Sequence, residues 1–433
     1  MKTPIVLDIP FADPAKLFAP FASQPFAQFL DSAGCARYSY ICLHPSGTFE
    51  DPNHILPHLR ETLQDITLHE GLPPFQGGLV GFIGYEWLHQ LEDISPQKTD
   101  DLSLPDVCFG FYDTIAAFDH KEEKAWIFSI KNNAAAHALK EQLYQKTDLQ
   151  EYTPVSLNWV SDFTAQTYQD SVQRVIDYIL EGDIFQANLT QRFQASLPDG
   201  FKRYSFYQNL RKTNPAPFSA YLNFKDFTIA SSSPERFLEV AGKQVETCPI
   251  KGTRARSTDP VIDEANALAL QKSEKDRAEN TMIVDLLRND LSKVCTPHSV
   301  HVPELCGLHS FASVHHLIST ILGELKEGCD SLDLLEACFP GGSITGAPKV
   351  RAMEIISELE PVRRNLYCGT IGYIGYDGRM DTNIVIRTVI FKGDKACVQV
   401  GGGIVADSDP ESEYLETLDK ARALFSAFDR CAS

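Results

Sequence analysis

Carboxylates on helix faces that ought to be buried are the first residues in this sequence that could do chemistry. Helical spacing over residues 273–289 puts Met282, Ile283, Leu286 and Leu287 on one apolar stripe. Glu279, three and four residues before Met282 and Ile283, projects from the same face. Asp276 stands one turn earlier, where it could also complete a capping box with Ser273. A helix opening at Asp409-Pro410, with Asp as cap and Pro in the first turn, repeats the pattern. Glu413, Glu416 and Lys420 follow there at i, i+3 and i+7, beside Leu415 and Leu418. An inward carboxylate is costly unless a cation or hydrogen bonds satisfy it. Two such helices suit a Mg2+ site that takes few protein oxygens and completes its shell from the substrate. For either helix alone, surface salt-bridge patterning accounts for the residues equally well.

Three further cues carry chemistry. Lys251, in Thr247-Cys248-Pro249-Ile250-Lys251-Gly252-Thr253-Arg254, follows an apolar pair and precedes a glycine. In a dry site its amine would serve as a nucleophile; taken alone, it reads as an ordinary strand-end cation. The run Phe339-Pro340-Gly341-Gly342-Ser343-Ile344-Thr345-Gly346-Ala347-Pro348-Lys349 is a Gly-rich turn entering a helix, where free N–H groups and hydroxyls could cradle an anion. It lacks the GxxxxGK[ST] spacing of a nucleotide loop, so a carboxylate fits it better than a polyphosphate. Residues 398–405 form a strand broken by Gly401-Gly402-Gly403, the signature of a bulge or of a ligand touching backbone. Arg387, placed in a neighbouring strand over 384–388, offers a planar fork for a carboxylate, or is a solvated edge residue.

The elements that must position these groups read as α+β. Val172, Val175, Ile176, Ile179 and Leu180 mark a helix over 168–181 that stops at Gly182. Antiparallel meanders are expected over 218–252 and 367–406, the second turning at Asp377-Gly378. A helix over 348–359 lies between them, and the glycine density of 74–86 implies a segment packed under other structure. The weakly patterned stretch 131–164 suggests a soft boundary between an N-terminal region, 1–150, and a second region, 160–433. The 433 residues suffice for a sizeable core, and a net charge of −19 disfavours nucleic acid, which needs a basic surplus. Eleven cysteines without a CxxC pair suit reduced thiols. Neither a signal-peptide core in residues 1–18 nor a run of membrane-span length is evident, so a cytoplasmic protein, free of the membrane, is expected.

In order along the chain stand Ser232-Ser233-Pro234-Glu235-Arg236-Phe237, Pro249-Ile250-Lys251-Gly252-Thr253-Arg254, Asp276-Arg277-Ala278-Glu279-Asn280 and Asp285-Leu286-Leu287-Arg288-Asn289-Asp290-Leu291. His316-Leu317-Ile318-Ser319-Thr320, the 341–349 turn, Gly369-Thr370-Ile371-Gly372-Tyr373, Ile386-Arg387-Thr388, the 401–404 glycines and Glu413-Tyr414-Leu415-Glu416-Thr417 follow. Together they resemble the chorismate-utilising enzymes, from about residue 168 to the C-terminus, with a looser likeness before residue 163. The resemblance implies large antiparallel β-sheets packed as a sandwich with helices on the outer faces. It implies Glu279 and Glu413 as Mg2+ ligands assisted by Asp276 and Glu416, and Glu235 as general acid/base at the C4 oxygen. His316 would lie near the departing hydroxyl. Tyr367, Arg387 and the backbone of Gly402 and Gly403 would hold the enolpyruvyl carboxylate, while Ser343, Thr345, Thr253 and Lys420 would line the pocket. Near the N-terminus, Leu30-Asp31-Ser32-Ala33 resembles a tryptophan-contacting segment of relatives, which makes Ser32 a possible tryptophan-binding residue; a polar turn explains it as well.

Two positions divide the family. Its water-using members carry a lysine where this sequence has Gln186, which is no base at neutral pH but would still face the substrate. Members that make anthranilate carry alanine at the position of Lys251, and those that aminate C4 carry lysine. The resemblance therefore implies that Lys251 adds at C2 and ammonia then enters at C4, giving 4-amino-4-deoxychorismate, a precursor of the p-aminobenzoate used for folate. Anthranilate formation and a non-catalytic chorismate-binding homologue are the alternatives; the joint presence of Glu235, Lys251, Glu279, His316 and Glu413 weighs against the latter. Asn280 departs from the histidine of many relatives. No Gly-x-Cys-x-Gly elbow occurs, so ammonia is expected from a separate glutamine amidotransferase subunit.

Overall fold

The computed structural model describes residues 2–64, 66–95, 99–145, 151–311 and 314–430. Among them the strands form two antiparallel sheets, one of twelve strands and one of ten. Their inner faces meet through residues such as Tyr40, Phe82, Ile229 and Ile371. The outer face of the larger sheet is covered by a cluster that includes Phe18, Phe206, Leu424 and Phe428, and that of the smaller by Ile283, Leu287, Leu291 and Leu335. A strand here is dry on both sides: Tyr221 packs outward while Ala220 and Leu222 pack inward. That is why the strands read as near-continuous apolar runs rather than as clean alternations. The α+β sandwich with outer helices is the architecture expected from the sequence.

Each sheet joins one block of strands from before residue 131 to one block from after residue 159 through a single strand pair. Gln28–Asp31 pairs with Phe218–Asn223 in the larger, and Gly78–Ile83 pairs with Thr370–Gly375 in the smaller. The glycine-dense segment is thus a central strand. A Cβ on Gly81 would come 2.0 Å from the Cys108 carbonyl oxygen, so only glycine fits. Residues 146–150, inside the soft boundary, lie outside the described residues.

The expected meanders do not each stay within one sheet. Phe218–Asn223 and Phe227–Ser233 belong to the larger sheet, whereas Arg236–Ala241, Gln244–Cys248 and Ile250–Ala255 belong to the smaller. The second meander crosses back the other way, from Thr370–Gly375 and Met380–Asn383 to Thr388–Lys392 and Lys395–Ile404. The crossings run side by side. Ser233 Oγ donates to the Ile384 carbonyl at 2.6 Å, the Ile384 N–H to the Glu235 carbonyl at 3.0 Å, and the Ser232 N–H to the Arg387 carbonyl at 3.1 Å. Glu235 and Arg387 therefore both sit where the chain passes between sheets, and Arg387, with φ 50°, is in a linker rather than in the strand assigned to it.

The helices follow their sequence signals. Thr164 and Thr167 close a capping box on Ala165–Leu180, and Gly182, at φ 89°, follows its end. Ser273 caps Glu274–Ser292, and Asp409 caps Pro410–Asp429. The Glu274–Ser292 helix buries Ile283, Val284, Leu287 and Leu291, one residue off the expected stripe, with Met282 and Leu286 half-buried on the Glu279 side. No described helix is long and apolar enough to cross a membrane.

Candidate active site

Glu235 is buried at the first crossing and accepts a hydrogen bond from Ser343 Oγ at 2.7 Å. Burial pushes its carboxyl up to about 7, although Ser343, Lys251, the Ile250 N–H and Arg387 all favour the charged form. A carboxyl poised near neutrality is what a proton carrier needs. Burial lowers the affinity of Arg387 for its proton, and Glu235 partly restores it. His316, on the strand Val314–Glu324, is pushed down to about 4, chiefly by burial and then by Arg387. It is neutral at pH 7, and its Nδ1 is paired with Thr253 Oγ1 at 2.8 Å on the adjacent strand. Of the carboxyl and the imidazole, Glu235 is the one that holds a proton near neutrality.

Glu279 lies across from these residues. Its Oε1 accepts from Lys251 Nζ at 2.7 Å and from Gln186 Nε2 at 2.8 Å. Burial opposes the charge on Glu279, but Lys251 and Gln186 more than offset that and hold it below the ordinary carboxylate range. The lysine expected to point into a dry site is therefore found engaged with the carboxylate expected to bind metal. Gln186 Oε1 is buried and has no hydrogen-bond partner among the described residues.

Gly402 and Gly403 explain how the carboxylates come together. A Cβ on Gly403 would lie 2.2 Å from Gln186 Nε2 and 2.6 Å from Glu279 Oε1. One on Gly402 would lie 3.3 Å from Glu413 Oε2 and 3.7 Å from Glu416 Oε1. Bare backbone leaves room for carboxylates from two helices against the same strand. No bulge is involved, because the strand keeps register with Gln186–Ser196 from Ala187↔Ile404 to Ser196↔Lys395. Glu413 is buried and receives Ser408 Oγ at 2.7 Å; burial raises its pKa, with Glu416 adding to the effect. Lys420 Nζ bonds Glu416 at 2.7 Å and the Gly401 carbonyl at 2.9 Å. Burial works to raise the Glu416 pKa, but Lys420 more than offsets it, and the net shift is downward.

Among the described residues, no group of three His, Cys, Asp or Glu side chains forms a ready metal cage. The hard carboxylate oxygens of Glu279 and Glu413 along this strand are of the kind Mg2+ takes, one or two at a time, filling its shell from water and substrate. Asp276, one turn before Glu279, packs against Gly252, where a Cβ would meet it at 3.0 Å, and faces Arg254 at 3.5 Å.

Part of the 341–349 turn joins the larger sheet. Residues Gly342–Ile344 make one 3-10 turn, and Gly346–Ala347 adds to the larger sheet against Gln186 and Ala187. Its carbonyls meet the neighbouring strand, that of Ala347 accepting the Phe185 N–H and that of Thr345 the Asn188 N–H, each at 2.7 Å. Ser343 reaches Glu235, and Thr345 Oγ1 donates to the Gly341 carbonyl at 3.0 Å. Tyr367 is buried, and that burial drives its pKa well above the usual phenol range.

Ser32 lies elsewhere, buried, with its N–H donating to Ser39 Oγ at 3.1 Å and the two hydroxyls 3.2 Å apart. The neighbouring cavity, about 240 Å³, is lined by Asp31, Tyr38, Tyr40, Phe218, Arg236 and Tyr373 among others. Ser408 and Lys275, 3.8 Å from Glu413, escaped the sequence reading, since nothing in their spacing marks them as partners of Glu413.

This fold and this cluster place the protein in a known class: the chain belongs to the chorismate binding enzyme family, which it matches over residues 26–426. It is 40% identical to aminodeoxychorismate synthase component 1 of Salmonella typhimurium, covering 98% of each chain, and 43% identical to that of Escherichia coli, covering 88% of this chain and 84% of the other. Among solved structures it resembles anthranilate synthase component I of Streptococcus pneumoniae, with TM-score 0.82 and 33% identity over 90% of this chain and 92% of that one.

Proposed function

We propose that this enzyme aminates chorismate at C4, making 4-amino-4-deoxychorismate with ammonia from a separate amidotransferase subunit. The relatives named aminodeoxychorismate synthase component 1 support the reaction, and their names support a second subunit. The product would feed p-aminobenzoate and folate synthesis. The observation that carries the reading is a primary amine, Lys251 Nζ, held among Glu279, Gln186 and the neutral-range carboxyl of Glu235. A residue lacking that amine could place ammonia only where ammonia itself first attacks.

Mg2+, held by Glu279 and Glu413 with Glu416 beside them, would supply positive charge for the substrate's ring carboxylate. The chain's own residues account for the rest. Nζ turns from Glu279 to C2, gives up a proton to solvent, and forms the N–C2 bond. Both conjugated ring double bonds shift, the C4–O bond breaks, and Glu235 gives its proton to the departing hydroxyl, which leaves as water. Ammonia then attacks C4, both double bonds shift back, and Lys251 departs from C2, taking up the proton that the incoming ammonia loses. Arg387 and Tyr367 hold the enolpyruvyl carboxylate, and the neutral His316 keeps a polar, uncharged wall beside the leaving group. The deciding experiment is mass identification of the product from chorismate, Mg2+ and ammonium. 4-Amino-4-deoxychorismate is expected; anthranilate would overturn the assignment.

A further inference from the structure

Beneath the site lies a buried ion pair that touches none of the reacting groups. Arg364 is 1% exposed and Glu360 4%. The guanidinium binds both carboxylate oxygens, Nε to Oε2 at 2.9 Å and Nη2 to Oε1 at 2.7 Å. Its remaining bonds leave the pair: Nη1 donates to the Ile344 carbonyl at 3.0 Å and Nη2 to the Asn188 carbonyl at 2.6 Å. Glu360 Oε1 in turn accepts the Thr190 N–H at 2.9 Å and the Thr190 hydroxyl at 2.8 Å. Gln399 Nε2 closes the network on Thr190 Oγ1 at 2.8 Å, and Tyr85, from the N-terminal region, lies under the guanidinium at 4.7 Å.

The segments so joined are those that carry the site. Asn188 and Thr190 belong to the strand of Gln186, Gln399 to the strand of Gly402 and Gly403, and Ile344 follows Ser343, whose hydroxyl bonds Glu235. A buried ion pair is a poor way to gain stability, because desolvation offsets most of the attraction; what it does well is fix geometry. The five donors of arginine form a rigid fork, so one side chain sets two carbonyls and a carboxylate at defined angles.

We propose that Arg364 is a positioning residue for the amination chemistry, holding the 342–345 turn against the Gln186 strand so that Ser343 meets Glu235. This rests on Glu235 acting as the proton carrier, as proposed above. The arrangement makes the proton affinity of Glu235 depend on a residue that does not contact it.

The test follows Glu235 directly. Its carboxyl carbon is observed by 13C NMR in glutamate-labelled protein, assigned with Glu235→Gln, alongside the pH dependence of kcat. Ser343→Ala removes a bond that favours the charged carboxylate, so Glu235 should titrate above its starting value of about 7. Arg364→Lys keeps a cation for Glu360 but cannot reach both carbonyls; it should raise Glu235 in the same direction. The double variant should titrate like Ser343→Ala alone, because both changes act through one bond. In Arg364→Lys, kcat should fall about tenfold or more with a smaller change in KM for chorismate. A folded Arg364→Lys enzyme in which Glu235 titrates as in wild type, while Ser343→Ala moves it, would overturn the proposal. Should that variant not fold, Glu360→Gln preserves volume but removes the charge that orients the guanidinium, and an unmoved Glu235 there is equally fatal. If the NMR titration moves and the kcat profile does not, the positioning role stands and the role of Glu235 as acid fails.

Discussion

Replacing Lys251 separates its structural role from its chemical one. The Lys251 and Glu279 side chains are 12% and 16% exposed, and their 2.7 Å ion pair is half of what satisfies Glu279 Oε1, Gln186 supplying the rest. Removing one partner of such a bond costs about 1–3 kcal/mol. With an unfolding entropy of about 2 cal/mol/K per residue, a chain of 433 residues loses about 1 °C of Tm per kcal/mol. Lys251→Ala should therefore melt about 1–3 °C below wild type in metal-free buffer. Lys251→Arg, which keeps a cation beside Glu279, should melt as wild type does. Both should lose aminodeoxychorismate formation by at least about a thousandfold, about 4 kcal/mol of barrier, because the guanidinium stays protonated and cannot add to C2. Circular dichroism melts with and without Mg2+, product quantified by mass, and intact-protein mass of quenched wild type should show the split, with an adduct on Lys251 alone. A Lys251→Arg enzyme retaining most of its activity refutes covalent catalysis and leaves Lys251 as an electrostatic anchor. An alanine variant as stable as wild type would instead refute the ion pair.

The other expectations are more compact. Because burial holds Glu235 near 7 in the folded state against an ordinary value of 4.5, the folded protein binds its proton more tightly than the unfolded chain does. Glu235 therefore costs stability as pH rises from about 4.5 to about 7, and Glu235→Gln should be inactive yet gain about 2–3 kcal/mol over wild type at pH 8, with little gain at pH 4.5, in urea melts. Equal gains at both pH values would show that the carboxyl is not perturbed. Glu279→Ala and Glu413→Ala should abolish turnover with the fold intact; normal activity of either at low Mg2+ would remove it from the metal site. The purified chain should turn over chorismate with ammonium and release no ammonia from glutamine until an amidotransferase is added, as an ammonia assay of the chain with glutamine alone can check.

Much of the site was legible because its chemistry is local. Glu279 announces itself by sharing a helical face with Met282 and lying next to a buried residue, and Glu413 and Glu416 do so by their spacing after a strong cap. Lys251 stands out between an apolar pair and a glycine that adopts φ 79°. Such signals depend on helix periodicity and on backbone rules that act over a few residues, so a linear reading retrieves them.

What the sequence by itself determined is the set of elements, their caps and the identity of the reactive side chains. Tertiary structure alone decided which strand joins which sheet, because strands dry on both faces carry no periodicity that tells one sheet from the other. The crossings at Glu235 and Arg387 were therefore invisible, and Arg387 was assigned to a strand. The turn around Ser343 reads in the sequence as a glycine-rich helix entrance; that Gly346 and Ala347 also pair with Gln186 and Ala187, some 160 residues away, has no local signal. The same distance hid the Glu360–Arg364 pair, whose i, i+4 spacing reads as an exposed salt bridge. Only the packing of Tyr85, Asn188 and Ile344 around it turns that ordinary spacing into a buried clamp.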